Sequence, residues 1–281
     1  RNTDCATDIN YCKTENMRRR QPSRPGPLKP LLVAISVPLA ACATAQPGLQ
    51  VQPYGTEPLA FGPCPSELTA ASEGECALVE VPLDWARAEE SERIVLFVRR
   101  FRSTADASGR NQVWALDGGP GLAGDVFVDP SIRSMVSEAG YDLYVPTHRG
   151  TVYGTQLRCE EQQAPQSDGG FQVTPGEFPA CADALREQWG EGVQQFNSWA
   201  AARDVRHLIE RAGGASSERV VGYGGSYGSV WGQRLLQVAP EVFDGMWLDS
   251  IVDLEASFER ADDNSNDAGL TLLQSCAADP E

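Results

Sequence analysis

Histidine and lysine are scarce in this sequence, which contains two residues of each. Acidic residues outnumber basic ones by 39 to 23, and the formal net charge is −16. Nucleic-acid affinity comes mainly from cationic side chains that neutralise phosphates, so this composition argues against a nucleic-acid partner. No histidine clusters near the eight cysteines, and no cysteines have metal-ligand spacing. We therefore expect no metal site.

The sequence also lacks an apolar run long enough to cross a bilayer. Its apolar stretch at 31–41 has 11 residues, whereas a membrane span needs about 20. Hydrophobic residues make up 41% of the 281 residues. This length allows one large domain or two small ones, with a sizeable core that needs no stabilising metal.

The stretch at 31–41 is typical of an export signal, because it follows an arginine-rich segment and ends in small residues. The letters L-A-A-C at 39–42 resemble a bacterial lipoprotein box, which implies cleavage before Cys42 and acylation of that residue. We predict a non-native upstream segment at 1–16 and a lipoprotein-type signal peptide at 17–41. The exported protein would be anchored to a membrane through a lipid on Cys42, and ordinary secretion is the alternative.

The use of cysteine also fits export, because disulfides persist in oxidising compartments. Proximity along the chain favours the pairs Cys64–Cys76 and Cys159–Cys181, although four cysteines allow three pairings. Cys276 is left over. We expect its partner to lie beyond the last residue of the sequence.

After a predicted linker at 42–60, the chain alternates strands and helices through a predicted core at 61–256. Short apolar stretches predict strands at 93–99, 112–116, 141–145, 219–223 and 245–248. Apolar periodicity predicts a helix at 200–212, and a second helical segment is expected at 229–238. This alternation predicts an α/β fold with a doubly wound, mostly parallel sheet.

A G-x-S-x-G motif occupies residues 224–228, between a predicted strand and a predicted helix. In that context the motif predicts a nucleophile elbow, a tight turn that exposes the hydroxyl of Ser226 at the sheet edge. Gly224 and Gly228 allow the strand and the helix to approach. The alternative, a glycine-rich turn of a nucleotide-binding fold, lacks both the lysine of a P-loop and the G-x-G-x-x-G spacing.

A second glycine-rich loop, D-G-G-P-G at 117–121, follows another predicted strand. Acyl transfer develops negative charge on a carbonyl oxygen, which preorganised N–H groups stabilise. We nominate the amides of Gly118, Gly119 and Tyr227 as candidates for this oxyanion hole, since Tyr227 follows the nucleophile. A simple Pro-Gly turn is the alternative for the loop.

With these two motifs, the sequence resembles the α/β-hydrolase serine peptidases, in particular the prolyl and tripeptidyl aminopeptidase group. The resemblance runs from about Cys76 to Asp253 and includes R-G-T at 149–151. It implies an α/β-hydrolase fold that is incomplete at its C-terminus, with 257–281 as the start of a helical lid. It also implies a peptide substrate with a free N-terminus, and no metal or organic cofactor. Thr147 departs from the family pattern, in which an Asp is usual.

The sequence lacks an obvious general base for Ser226. In this fold the acid and the histidine of the triad follow the nucleophile, but His148 and His207 both precede it. His207 is predicted to face solvent, and His148 follows a strand at the ligand edge. We expect the acid and histidine beyond Glu281, so the chain alone is expected to be inactive.

Asp249 and Asp253 follow the strand after the elbow, but the resemblance places the catalytic acid later, so neither is nominated.

Two other functions are alternatives to a peptidase. An esterase or lipase on the same fold is one alternative function, because a fold does not determine its substrate. A surface lipoprotein that uses an inactive hydrolase fold for binding is the other.

Overall fold

The computed structural model describes residues 49–65, 74–105, 111–213, 216–255 and 261–278. The predicted upstream segment at 1–16, the signal peptide at 17–41 and the lipidation site Cys42 lie outside the described residues. None of the helices in the described part of the chain is both long and apolar enough to span a membrane.

A mixed sheet of eight strands forms the centre of the described residues. The strands are β1 (Val51–Gln52), β2 (Gly62–Pro63), β3 (Glu75–Pro82), β4 (Arg93–Phe101), β5 (Asn111–Leu116), β6 (Asp142–Pro146), β7 (Arg219–Gly225) and β8 (Gly245–Asp249). Their order is β1-β3-β4-β6-β5-β7-β8, and β2 pairs with β3. Strand β4 runs antiparallel to both of its neighbours, whereas β6, β5, β7 and β8 are parallel.

Helices connect the parallel strands and cover the sheet. The α-helices are α1 (Pro130–Glu138), α2 (Phe178–Trp189), α3 (Ser198–Arg211), α4 (Tyr227–Val238) and α5 (Ala261–Ala278). Short 3-10 helices occupy Trp85–Arg87, Asp125–Val128, Gly190–Gln195 and Pro240–Val242. The side chain of Asn197 accepts a hydrogen bond from the Ala200 amide and caps α3, as expected for an N-terminal Asn.

Hydrophobic residues on both faces of the sheet explain why its central strands are buried. One core lies where α3 and α4 meet the sheet, and Trp114, Trp231 and Leu208 are at most 2% exposed there. A second, smaller core contains Phe127 and Val145. Strands of a parallel sheet that is covered on both faces are buried along their whole length, as β6 is.

The topology is that of the α/β-hydrolase fold: a mostly parallel sheet with helices and an elbow turn between β7 and α4. All five predicted strands are present and differ from their predicted bounds by at most two residues. The predicted helices at 200–212 and 229–238 correspond to α3 and α4. A helix, α5, also forms in the segment expected to begin the lid.

The described part of the predicted linker packs on the core rather than extending from it. β1 pairs in parallel with β3, and the amide of Leu59 donates to the carbonyl of Arg211 at 2.9 Å. The Arg211 side chain also donates to the carbonyls of Pro53 and Glu57. A composition rich in proline and glycine did not reveal these contacts, because they are made to β3 and to a helix about 150 residues away.

Both disulfides expected from proximity are present in the structure, Cys64–Cys76 and Cys159–Cys181. Disulfides of this kind are typical of proteins that fold in oxidising compartments. Cys276 is an exposed free cysteine on α5.

Candidate active site

Ser226 lies in the turn between β7 and α4 with a backbone conformation that L-residues rarely adopt, φ 54° and ψ −122°. Such strained backbone persists only where the surrounding structure holds it in place. Here the Ser226 amide donates to the carbonyl of Asp249 at 3.0 Å, and its own carbonyl accepts from the Ser229 amide at 2.8 Å. Ser226 is exposed to solvent.

Two glycines allow the strand, the turn and the helix to pack this closely. A Cβ on Gly224 would lie 2.2 Å from the carbonyl oxygen of Gly228, and a Cβ on Gly228 would lie 2.1 Å from that of Leu116. Both contacts are with backbone atoms, which cannot rotate away. The elbow therefore requires glycine at both positions for steric reasons.

The D-G-G-P-G loop lies directly beside Ser226. A Cβ on Gly118 would lie 3.3 Å from Cβ and 3.8 Å from Oγ of Ser226. Gly119 has φ +107°, and a Cβ there would lie 2.7 Å from the amide nitrogen of Gly121, so this position also requires glycine. The structure thus brings the two glycine-rich motifs together across the sheet edge.

Asp117 is a functional candidate that the sequence reasoning missed. Its carboxylate is buried and accepts hydrogen bonds from the Gly118 amide at 2.7 Å and the Gly124 amide at 2.6 Å. The Gly118 amide, nominated above for the oxyanion hole, is therefore bonded to this carboxylate. Within the described residues, the Gly119 amide donates no hydrogen bond. The only available sequence signal was an acidic residue that opens a glycine-rich loop.

Tyr227 is the first residue of α4, so its amide lies at the positive end of the helix dipole. Its phenol contacts His148: the Oη and Nε2 atoms are 3.2 Å apart. The Nδ1 atom of His148 is 2.8 Å from the carbonyl of Arg149, which can only accept. Nδ1 therefore carries the proton, and Nε2 accepts from the Tyr227 hydroxyl.

The described residues do not assign a general base to Ser226. Nε2 of His148 is occupied by Tyr227, and burial lowers the pKa of the His148 imidazole. His207 was predicted to face solvent, but it is half-buried between the rings of Tyr54 and Trp85, at centroid distances of 5.2 and 5.7 Å. Burial lowers the pKa of His207 as well. The prediction was wrong because Tyr54 and Trp85 pack over that face of α3.

The loop that carries R-G-T is anchored by a buried ion pair. Arg149 donates to both carboxylate oxygens of Asp204 at 2.6 and 2.7 Å, and to the carbonyls of Leu83, Pro82 and Gln195. The side chains of both ion-pair partners are at most 2% exposed. This geometry positions His148, the neighbour of Arg149, against Tyr227.

The two aspartates after the elbow are exposed and bonded locally. The Asp249 carboxylate accepts from the hydroxyls of Tyr223 and Ser250, each at 3.2 Å. The Asp253 carboxylate accepts from the Glu255 amide at 2.9 Å. Neither contacts a histidine within the described residues. Nor does that part of the chain contain a group of His, Cys, Asp or Glu side chains that could hold a metal ion.

No protein-family model matches the sequence, and no curated protein matches it. Among solved structures, it is similar to proline iminopeptidase from Mycobacterium smegmatis, with 15% identity and a TM-score of 0.37 over 60% of this chain and 42% of that one. It is also similar to an epoxide hydrolase from Vigna radiata, with 16% identity and a TM-score of 0.40 over 70% of this chain and 46% of that one. A third similar structure is an epoxide hydrolase from Aspergillus niger, with 16% identity and a TM-score of 0.41 over 68% of this chain and 39% of that one. The chain spans less than half the length of these three proteins.

Proposed function

We propose that this chain carries the nucleophile and the oxyanion loop of an exported serine hydrolase. The observation that supports the proposal most strongly is the placement of Ser226. Its hydroxyl is exposed on a strained turn, and the glycine-rich loop approaches to within contact distance of its side chain. An elbow turn and an adjacent glycine loop are two of the parts that acyl transfer by serine requires, and the third is a general base.

In the proposed reaction, Oγ of Ser226 attacks the carbonyl carbon of the substrate and its proton passes to a general base. The resulting oxyanion is stabilised by the Tyr227 amide and an amide of the 117–121 loop. Collapse of the tetrahedral intermediate releases the leaving amine with that proton and forms an ester at Ser226. Water then hydrolyses the ester. A serine hydroxyl needs a general base to react at a useful rate.

We propose peptides with a free N-terminus as substrates and short N-terminal fragments as products. The support for this substrate class is the resemblance of D-G-G-P-G and G-G-S-Y-G to the aminopeptidase group. The two disulfides support export. Membrane anchoring through a lipid on Cys42 is part of the same proposal and is tested by mass spectrometry of the exported protein.

The central test measures acyl transfer by the purified chain and by a Ser226→Ala variant. Substrates are aminoacyl and tripeptidyl p-nitroanilides, their N-acetylated forms, and p-nitrophenyl esters of the same acyl groups. Each is assayed with and without added imidazole, which supplies an external base. A fluorophosphonate probe, followed by peptide mapping, identifies the serine that reacts.

Without imidazole we expect little or no turnover, because the described residues supply no general base to Ser226. With imidazole we expect labelling at Ser226 and release of p-nitroaniline that is lost in Ser226→Ala and is weaker for the acetylated peptides. Hydrolysis of esters without hydrolysis of anilides would favour an esterase instead. Equal rates for the wild type and Ser226→Ala, without labelling of Ser226, would show that the site is not a hydrolase.

A further inference from the structure

Asp117 is the first residue after β5 and is 8% exposed. Both of its carboxylate oxygens face backbone: Oδ1 accepts from the Gly118 amide at 2.7 Å, and Oδ2 accepts from the Gly124 amide at 2.6 Å. The side chain therefore closes a ring between the beginning and the end of the glycine-rich loop. Hydrogen bonds to a carboxylate are among the stronger ones in proteins.

The ring lies against the elbow. The backbone of Leu116 and Asp117 is in close contact with Gly228 of the first turn of α4, and Gly118 is in contact with Ser226. Because the Asp117 carboxylate bridges the Gly118 and Gly124 amides, it restrains the segment that approaches Ser226. Displacement of catalytic groups by about 1 Å is enough to lower rates severely.

The same hydrogen bonds decide which loop amide is available to the substrate. The Gly118 amide is already bonded to the carboxylate. The next amide along the loop belongs to Gly119, and it donates no hydrogen bond within the described residues. A preorganised donor must be free before the reaction and held rigidly, which is what this arrangement provides.

We propose that Asp117 is a positioning residue for acyl transfer: by holding the amides of Gly118 and Gly124, it leaves the Gly119 amide as the donor of the loop to the oxyanion beside Ser226. This inference rests on the proposed function of Ser226. Asp117 itself does not touch the substrate. It acts through the loop, so its removal affects the transition state more than the binding of the ground state.

The test compares Asp117→Asn with the wild type and with Asp183→Asn. The Asn side chain keeps one acceptor but places an NH₂ group against the second amide, so one of the two hydrogen bonds is lost. Asp183→Asn is the matched control, because it removes an exposed carboxylate of α2 that pairs with Arg186. Kinetics with the best p-nitroanilide or ester, in the presence of imidazole, are combined with affinity for a peptide boronate that forms a tetrahedral adduct at serine.

We expect Asp117→Asn to lower kcat by about 10²-fold, as the loss of one oxyanion donor does, with KM changed by less than about threefold. Boronate affinity should fall with kcat, and the backbone NMR signals of Gly118 and Gly124 should shift and exchange faster. Asp183→Asn should leave all of these unchanged. A Ser226-dependent wild-type rate that Asp117→Asn retains, or loses through KM alone, would refute the inference while the proposed function stands.

Two controls distinguish failure of the inference from failure of the proposed function and from misfolding of the variant. If the wild type itself shows no Ser226-dependent rate, the proposed function fails and the inference fails with it. If Asp117→Asn does not give the near-ultraviolet circular dichroism of the wild type, Asp117→Glu is used in its place, because it keeps both acceptors but moves them by one methylene. Full activity in a folded Asp117→Glu variant whose Gly118 and Gly124 amides are no longer bonded would also overturn the inference.

Discussion

Replacement of Gly228 by alanine tests whether the elbow is as tightly packed as the structure indicates. The new Cβ would lie 2.1 Å from the carbonyl oxygen of Leu116 and 3.0 Å from that of Asp117. Both are backbone atoms at the end of β5, which leads into the 117–121 loop. Relief therefore requires α4 to move away from β5.

The expected loss of unfolding free energy in Gly228→Ala follows from comparison with Gly232, one turn further along α4. A Cβ on Gly232 would lie 2.9 Å from Cδ2 of Leu248, the far end of a flexible side chain. Alanine in place of glycine favours a helix by about 1 kcal/mol, which offsets a small side-chain shift. We therefore expect Gly232→Ala to stay within about 1 kcal/mol of the wild type.

Gly228→Ala has the same gain in helix propensity but must displace backbone. Overpacking costs about 1–3 kcal/mol, and occasionally more, and a contact with a rigid carbonyl belongs at the upper end. We expect Gly228→Ala to lose about 2 kcal/mol of unfolding free energy relative to Gly232→Ala. The assay is urea unfolding followed by tryptophan fluorescence, with labelling of Ser226 as the functional readout.

The result that would refute this reasoning is a Gly228→Ala variant as stable as Gly232→Ala and equally reactive at Ser226. It would mean that β5 and α4 are not in contact at this turn. The oxyanion loop would then lose its proposed relation to the nucleophile.

Two other predictions concern buried charge. Asp204→Asn leaves the Arg149 cation buried without its partner, so we expect a loss of about 3–5 kcal/mol in urea unfolding. Asp183→Asn, in an exposed pair, should cost less than about 1 kcal/mol. Burial lowers the pKa of His148 and of His207 in the folded chain below the ordinary value of about 6.5, which applies to the unfolded chain. Between the folded-state and unfolded-state pKa values, the unfolded chain therefore binds more protons than the folded chain. Stability should therefore be fully present above pH 7 and should decline as the pH falls towards 5.5.

Each of these two predictions has its own check. Equal unfolding midpoints for Asp204→Asn and Asp183→Asn would contradict the view that the first pair is buried. For the pH effect, midpoints are compared at pH 7 and 5.5 in the wild type and in a variant with glutamine at both His148 and His207. The decline should be smaller in the variant, and an identical decline would assign it to other groups.

Local patterns in the sequence were sufficient for five of the eight strands of the described residues, for α3 and α4, and for the elbow. Apolar stretches are buried wherever a sheet is covered on both faces, and glycines mark close backbone approaches whatever surrounds them. For this reason β4 to β8, the turn at Ser226 and the glycine-rich loop could be predicted from the sequence alone. The disulfide pairs could be predicted for a similar reason, because the partners are close along the chain.

The tertiary structure alone decided which polar groups meet. Arg149 pairs with Asp204, which lies 55 positions further along the chain, and His148 contacts Tyr227, which lies 79 positions further along. The half-buried position of His207 depends on a segment more than 100 residues upstream. Even the bond between Asp117 and Gly124, only seven positions apart, depends on a loop shape that the packing against α4 imposes. The strength of a hydrogen bond depends on tenths of an ångström, and such distances are set by how separate elements pack together, which no local pattern of residues records.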